Sequence, residues 1–334
     1  NFILSSYFLG VAHPPGYPLY TALGWLAAQV PLGSVAYRVH LLSALFGAAS
    51  CAALWLCARR LLESWLAAAL AALALGLSPA FWSQAIVAEV YTLNTLFAFA
   101  LLYLALRGGP LWAMALLFGL SLANHWPLML LFAPAYAVLL WPRRMEFLAQ
   151  LPKLTFLVIA GLLPYAWMVW RSWVSLIAFY GPIDYLHELW FVISRQGYGQ
   201  ADVSPTAGWL DRAQYAGFLA RELLVQFAVA GTLLAGVGFW AQWRLWGARV
   251  GWALTLAFVM PSFVLLLLLG FDYDAFHKHV FHVYPLPAYG VVALWAGLGF
   301  QWLAGRWAWG RTARAAAAAM LLAATAVAGA WGNY

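Results

Sequence analysis

The sequence predicts an all-α polytopic membrane protein: a bundle of about ten transmembrane helices with short interfacial helices on the outer face. Three observations support this. The chain is 66% hydrophobic and only 8% charged, against roughly 25% charged in a soluble domain, so it cannot cover a water-facing surface. Its apolar runs are about 15 to 25 residues long and do not alternate, which selects helices over strands. Backbone polar groups find no water inside a bilayer, so ordinary loops cannot cross it. No soluble domain fits between the runs, and 1–334 reads as a single transmembrane domain.

Residues 1–34 read as an outer loop, whose first ten residues suit a short interfacial helix. A short helix follows from Pro18 to about Val30, closed by Pro31-Leu32-Gly33. The first full span covers about Val35 to Cys57 and ends at Arg59-Arg60. The second, about Trp65 to Leu77, is turned by Pro79-Ala80-Phe81-Trp82. The third runs from about Gln84 to Leu106, where Gly108-Gly109-Pro110 breaks it. A short fourth reaches Ala123 and is capped by Asn124-His125-Trp126-Pro127, and the fifth runs to Trp141. The sixth covers about Leu154 to Trp170 and is followed by a long outer interfacial segment, 171–215. The seventh is about Ala216 to Trp240 and the eighth about Val250 to Leu269. After an outer polar loop, 271–284, the ninth spans about Pro285 to Ala304 and the tenth about Ala313 to Trp331. Cys51 and Cys57 fall on different faces of the first span and read as small core residues, with no disulfide implied. Asn1 opens inside a motif, so further sequence upstream is expected.

Charge orients the bundle, because cytoplasmic loops are enriched in Lys and Arg. Alternate loops hold Arg59, Arg60, Arg107, Arg143, Arg144, Lys153, Arg244, Arg249, Arg306, Arg311 and Arg314, which is 11 of the 17 basic residues, and that side reads as cytoplasmic. Arg38, Arg171, Arg195, Arg212, Arg221 and Lys278 fall on the other. All seven histidines and eight of the ten acids lie outside or near that end of a helix. Topology does not require acids and imidazoles there, so any chemistry should face outward. The net charge of +7 reports the same bias and gives no reason to expect nucleic acid.

Five outer features could carry that chemistry. Gly10 to Tyr20 contains His13-Pro14-Pro15-Gly16, a rigid hook: the prolines stop any helix, Pro15-Gly16 suits the centre of a type II turn, and Pro18 can open a helix. The plain alternative is a well-capped loop. Trp82 to Asn94 places Glu89 more than a turn inside the third span, where a carboxylate is costly unless paired or wetted and its raised pKa suits a general base. The alternative is a structural pairing with Arg38 or His40. Asn124-His125-Trp126-Pro127 is either a site or a satisfied helix end. Asp184 to Tyr198 reads as an amphipathic surface helix ended by Gly197, with Arg195 facing the headgroup layer, able to grip a phosphate or merely to anchor. The last feature, Asp272 to His282, offers Asp272, Asp274, His277 and His279 as weak metal candidates, but their spacing matches no closed ligand set. A divalent metal is not expected to be required.

The hook, the stretch from Phe81-Trp82-Ser83-Gln84 to Asn94, Gly119 to His125, and Arg195-Gln196-Gly197-Tyr198-Gly199 occur in this order in the DUF2723 family of membrane proteins. That family includes the transmembrane protein O-mannosyltransferases related to TMEM260. The resemblance covers about the first 200 residues and the remainder by hydropathy alone. It implies a GT-C glycosyltransferase fold and transfer of a sugar, expected to be mannose. The donor would be a polyprenyl-phosphate-linked sugar, and the acceptor a hydroxyl on a protein or glycan. Glu89 and His13 are then the expected catalytic residues, with Trp82, Tyr91, Asn94, Asn124, His125, Arg195 and Tyr198 binding substrate. The expected location is a bacterial inner membrane with the functional face outward. The sequence departs from the family at Asn1, which stands where the resemblance places a Glu. Either the chain continues upstream, or this edge is not a true match, or this member has lost its base. The last possibility leaves open a non-catalytic GT-C subunit of a larger membrane complex. A lipid or small-molecule transporter would need polar groups on both sides, and the cytoplasmic half offers almost none.

Overall fold

The computed structural model describes residues 1–199, 203–204, 206–307 and 310–332. Part of the expected outer segment 171–215 therefore lies outside the described residues. The described chain is almost wholly helical, relieved by two isolated bridges, Val11 with Ala178 and Val203 with Gly270.

Local chemistry explains the element starts. Helix α1 is Phe2–Tyr7, and α2, Pro18–Ala28, has proline at its first position, where the missing N–H has no partner to lose. Helix α3, Val35–Leu61, is capped by Ser34, whose hydroxyl accepts from Tyr37 N at 3.2 Å. Helix α4, Trp65–Gly76, is capped in the same way by Ser64. Then come α5, Pro79–Ala85, α6, Tyr91–Leu106, and α7, Leu111–Leu140. Helices α8, Arg144–Ala149, α9, Leu151–Gly161, and α10, Leu163–Val174, lead to the short α11, Leu186–Ile193. The long α12, Trp209–Leu245, is followed by α13, Gly247–Val259, a π turn over Met260–Val264, and α14, Leu265–Leu268. Helix α15, Ala275–Phe281, precedes α16, Leu286–Arg306, and α17, Arg311–Gly332.

Helix α16 is the axis of the bundle, with 83% of its most apolar stretch buried. It packs on α12 and α4. Gly238 of α12 and Gly299 of α16 lie directly against backbone, Gly238 on Trp295 and Gly299 on Leu234. Small residues allow such close approach, which is how helices associate without a hydrophobic driving force.

Helix α7 is a hairpin. Drawn straight, 30 residues would span about 45 Å, yet Arg143 Nη1, just past its end, donates to Gly109 O, just before its start, at 2.6 Å. The chain reverses at His125, whose φ and ψ are −152° and 78°. The loops expected to share the basic side do meet: Trp246 Nε1 donates to Leu61 O at 2.7 Å and Ser64 N to Gln301 Oε1 at 2.9 Å.

Several expectations change. Among the described residues, six helices are long and apolar enough to cross a membrane, or seven if the bent pair α4 and α5 counts as one span, so the expected ten is not reproduced by this measure. One reason is that α6 has only 16 residues, and the expected fourth and fifth spans are two short arms of one helix. The expected third span is also not continuous. It begins as α5, breaks over residues 86–90 and resumes as α6 at Tyr91, so Glu89 lies in the break and not inside a span. Gly197 does not end the surface helix, which stops at Ile193; Arg195 itself takes the left-handed conformation, with φ 61°.

Candidate functional site

The hook is built one residue earlier than its sequence suggests. Gly16 N donates to His13 O at 2.8 Å, so Pro14 and Pro15 are the central pair. They are joined by a cis peptide, which makes a type VI turn in place of the expected type II. The positive φ expected of Gly16 is present, at 96°, but Gly16 closes the turn and does not sit inside it. Val11 pairs with the segment after α10: its N–H donates to Ile177 O at 2.8 Å and its carbonyl accepts from Phe179 N at 3.2 Å. A Cβ on Gly16 would strike Met168 Sδ of α10. Gly16→Ala should therefore destabilise the protein by roughly 1–3 kcal/mol, read as a lowered thermal midpoint in detergent.

Within this frame His13 stacks obliquely on Phe2 at 5.3 Å and on Tyr17 at 5.2 Å. Its Nδ1 accepts from Asn1 Nδ2 at 2.7 Å, which leaves the ring proton on Nε2. Burial, and then the charge of Arg195, lowers its pKa to about 4, so at neutral pH it is an uncharged donor through Nε2.

Glu89 hangs from its backbone. Its N–H donates to Ser43 Oγ at 3.3 Å, and Ser43 Oγ donates to Glu89 O at 3.2 Å. The same hydroxyl meets Tyr20 OH of α2 at 2.7 Å, which ties the carboxylate segment to the hook helix. Arg38, weighed above as a structural partner, instead donates to carbonyls of Ala28, Val30 and Ser34, at and between the end of α2 and the start of α3. Burial raises the Glu89 pKa to about 7, against a small opposing pull from the Val90 N–H. Such a carboxyl exchanges its proton near neutral pH, as a general base must.

The α7 reversal presents His125, 5% exposed, between two tyrosines: Tyr17 at 5.6 Å and Tyr91 at 5.7 Å between ring centroids. Proline at 127 supplies no N–H, and neighbours tie down the turn. Tyr165 OH donates to Leu122 O at 3.3 Å, Asn124 Nδ2 to Val90 O at 3.2 Å, and Trp126 Nε1 to Ile193 O at 2.9 Å. His125 Nδ1, Asn124 Oδ1 and both amide atoms of Asn94 are buried without a hydrogen-bond partner among the described residues. Buried polar atoms are rarely left so.

The Trp126 bond also docks α11 on the reversal and brings Arg195 inward. Its guanidinium lies over the Tyr198 ring at 5.1 Å and donates to Pro14 O of the hook at 3.2 Å. It thus faces the hook and not the headgroup layer expected from the amphipathic pattern, because the left-handed backbone at 195 turns it back. The Tyr198 ring is 6.5 Å from His13.

The structure therefore brings His13 and His125 against one residue, Tyr17, with Glu89, Tyr91 and Arg195 within electrostatic reach of it and Tyr198 on the far side of His13. Tyr17 is 3% exposed and contacts both imidazoles. Burial raises its phenol pKa, and the charges of Arg195 and Glu89 both reach it. Asn94 and Asn124 sit beneath, where Val90 O accepts from the Asn94 N–H and from Asn124 Nδ2. Trp82 stands apart, 52% exposed on α5. Sequence reasoning assigned no role to Tyr17, Ser43 or Tyr284. Tyr17 lies inside the hook and was visible there. Tyr284, whose ring is 6.2 Å from Tyr91 and 6.4 Å from His125, arrives from a distant loop. A cavity of about 410 Å³ opens alongside, lined by Tyr180, Pro182, His187, Trp190, Phe191 and Gln196 among others. Ring contacts Phe191–Tyr180, Tyr180–Phe179 and Phe179–His13 connect it to the cluster.

The weak metal candidates take separate partners. The Asp272 carboxylate accepts from Ser204 Oγ and Thr206 Oγ1, while Asp274 pairs with His277 at 2.7 Å and caps α15. The His279 carbonyl meets His282 Nδ1. Among the described residues, no group of three or more His, Cys, Asp or Glu side chains could hold a metal ion.

Residues 1–148 match the family described as the Protein O-mannosyl-transferase TMEM260 N-terminal domain. The chain is 38% identical over 187 residues to the Protein O-mannosyl-transferase TMEM260 of Mus musculus, covering 52% of this chain and 27% of that protein. It is 31% identical over 105 residues to Protein O-mannosyl-transferase tmem260 of Dictyostelium discoideum, covering 30% of this chain and 13% of that one. The matched regions are thus a minor part of either relative's length. Both relatives are eukaryotic, and the expected bacterial inner membrane finds no support in them. Among solved structures, the fold is similar to ArnT from Cupriavidus metallidurans bound to undecaprenyl phosphate, with a TM-score of 0.59 and 17% identity over 89% of this chain and 51% of that one. It is also similar to an oligosaccharyltransferase of Archaeoglobus fulgidus, with a TM-score of 0.52 and 16% identity over 95% of this chain and 45% of that one. The resemblance read in the sequence is therefore found, and the fold is a multi-pass, GT-C-like helical bundle.

Proposed function

We propose that this chain, whose first 148 residues match the TMEM260 N-terminal domain, is the membrane sugar-transfer module of a protein O-mannosyltransferase. The donor is a polyprenyl-phosphate-linked mannose and the acceptor a hydroxyl on a protein. The reaction takes place at the hook end of the bundle, opposite the basic loops and therefore on the outer face. One observation supports this reading: the hook, the reversal at His125 and Arg195 come together from separate parts of the chain, with His13 and His125 on either side of Tyr17, Arg195 bonded to Pro14 O of the hook, and Glu89 within electrostatic reach.

The chemistry follows from the groups present. The Glu89 carboxylate takes the proton of the acceptor hydroxyl. The freed oxygen attacks the anomeric carbon from the face opposite the phosphate, the new C–O bond forms, and the old bond breaks with its electron pair passing to the polyprenyl phosphate. The configuration inverts. Arg195, fixed by Pro14 O, and the Nε2–H of uncharged His13 face the developing phosphate charge, where preorganised donors count most. His125, Tyr91, Asn94 and Asn124 are assigned to the sugar, and Tyr198 holds the Arg195 plane. The cavity beside α11 offers the acceptor chain its approach. A base whose pKa is raised to about 7 works only when deprotonated, so the transfer rate should rise as pH increases through about 7 and level off above it.

The test is transfer of radiolabelled mannose from a polyprenyl-phosphate donor to a hydroxyl-bearing acceptor by the purified full-length protein in lipid. Absence of transfer would point to the second reading, a non-catalytic GT-C subunit. That reading is favoured by one contact: the Asn1 amide occupies His13 Nδ1, at the position where the family resemblance places a carboxylate.

A further inference from the structure

We propose that Gln226 is a positioning residue that aims the Glu89 segment by holding the start of α5, an inference that rests on the role given to Glu89 above. Helix α5 has no cap of its own. The hydroxyl of Ser78, its N-cap residue, donates to Leu75 O at 2.7 Å. The first turn of any helix leaves N–H groups without intrahelical partners. Here the Ala80 N–H is met from α12, 146 residues along the chain, by Gln226 Oε1 at 2.9 Å. Gln226 is 2% exposed. Its other amide atom, Nε2, donates to Glu222 Oε2 at 3.0 Å. A carboxylate only accepts, so Glu222 dictates which way the amide points and leaves the oxygen for α5.

The surroundings show how this place is specialised. Two residues beyond Gln226, α12 breaks at Ala228, with φ 54° and ψ 174°. Thr232 Oγ1 lies 2.9 Å from both Leu223 O and Ala228 O across that break. Gln226 thus projects from a distorted turn. From α5 the chain runs directly into residues 86–90, and the far end of that stretch is held by the two Ser43 bonds to Glu89. The carboxylate segment is therefore tied to neighbouring helices at both ends, by Gln226 at its start and by Ser43 and Asn124 at its end. No proline stiffens residues 80–90, so the placement of the carboxylate leans on these ties.

The experiment uses the full chain in lipid. Glu89→Cys, in a Cys51→Ala and Cys57→Ala background, is labelled with a water-soluble maleimide, with Leu186→Cys on the exposed face of α11 as a control for fold. Gln226→Leu leaves the Ala80 N–H unmet and should change the labelling rate at position 89 by about tenfold. Gln226→Glu combined with Glu222→Gln keeps an oxygen toward that N–H and a donor between the two side chains, and should stay close to the parent rate. Labelling at position 186 should not respond. In the otherwise unaltered protein, Gln226→Leu should lower kcat for sugar transfer and move its pH midpoint with little change in the donor KM, and Gln226→Glu combined with Glu222→Gln should recover most of the loss. If Gln226→Leu fails to accumulate, Gln226→Asn, one methylene too short to reach α5, carries the same test. An unchanged labelling rate at position 89, or an altered rate with unaltered kcat, overturns the proposal. If the parent protein transfers no sugar while labelling at position 89 still responds to Gln226, the catalytic role of Glu89 fails and the placement of its segment by Gln226 stands.

Discussion

Glu89→Gln should lower the rate of sugar transfer by about 10²–10⁴-fold, the range by which a positioned general base accelerates a reaction. The substitution is nearly isosteric. It keeps the backbone bonds to Ser43 that place the segment, because those use the N–H and carbonyl of residue 89 and not its carboxyl. The thermal midpoint should therefore hold steady or rise, since a half-buried carboxylate with no ion pair among the described residues gives way to a neutral amide. Donor affinity should also hold, because the carboxylate acts on the acceptor. The decisive comparison is kcat against donor binding in the same preparation. Full activity in Glu89→Gln would remove the carboxylate from the mechanism.

Arg195→Ala is the second large effect. Losing one preorganised donor to a developing anion costs about 10²–10³ in kcat. Here the same residue also stacks on Tyr198 and bonds Pro14 O, so the hook should loosen as well. Arg195→Lys separates the two roles: it keeps the positive charge but not the planar fork that grips a phosphate through two bonds. An intermediate rate for lysine, with the thermal midpoint restored, would identify charge as the larger share. Equal losses in both variants would identify the fork. A kcat untouched by either would show that Arg195 braces the hook and leaves phosphate stabilisation to His13.

Much of the site was legible along the chain because its residues carry local signals. The hook reveals itself through Pro14, Pro15, Gly16 and Pro18, whose backbone limits are intrinsic. Its exact turn was misread by one position, since a proline pair can adopt more than one turn type and only the bond from Gly16 N to His13 O discriminates. Pro127 flagged the reversal at His125. The interruption at Glu89 left no such mark: Ile86-Val87-Ala88 continues the apolar run without Gly or Pro, so a pattern of hydrophobicity reads straight through it. The amphipathic spacing describes a helix and so points Arg195 to the headgroup layer. The helix stops two residues short of it, and a left-handed backbone swings the side chain inward.

Composition and order alone determined that this is a helical membrane protein, that its basic loops gather at one end, and which motif residues to suspect. Those properties follow from transfer free energies and backbone sterics, and each residue carries them wherever it sits. Only the tertiary structure decided that Glu89 stands in a gap held by Ser43 and Gln226, that Tyr17 lies at the centre of the cluster, and that Tyr284 joins it from the far end of the chain. Those outcomes rest on hydrogen bonds and ring contacts between residues tens to hundreds of positions apart, which come into existence when the helices pack.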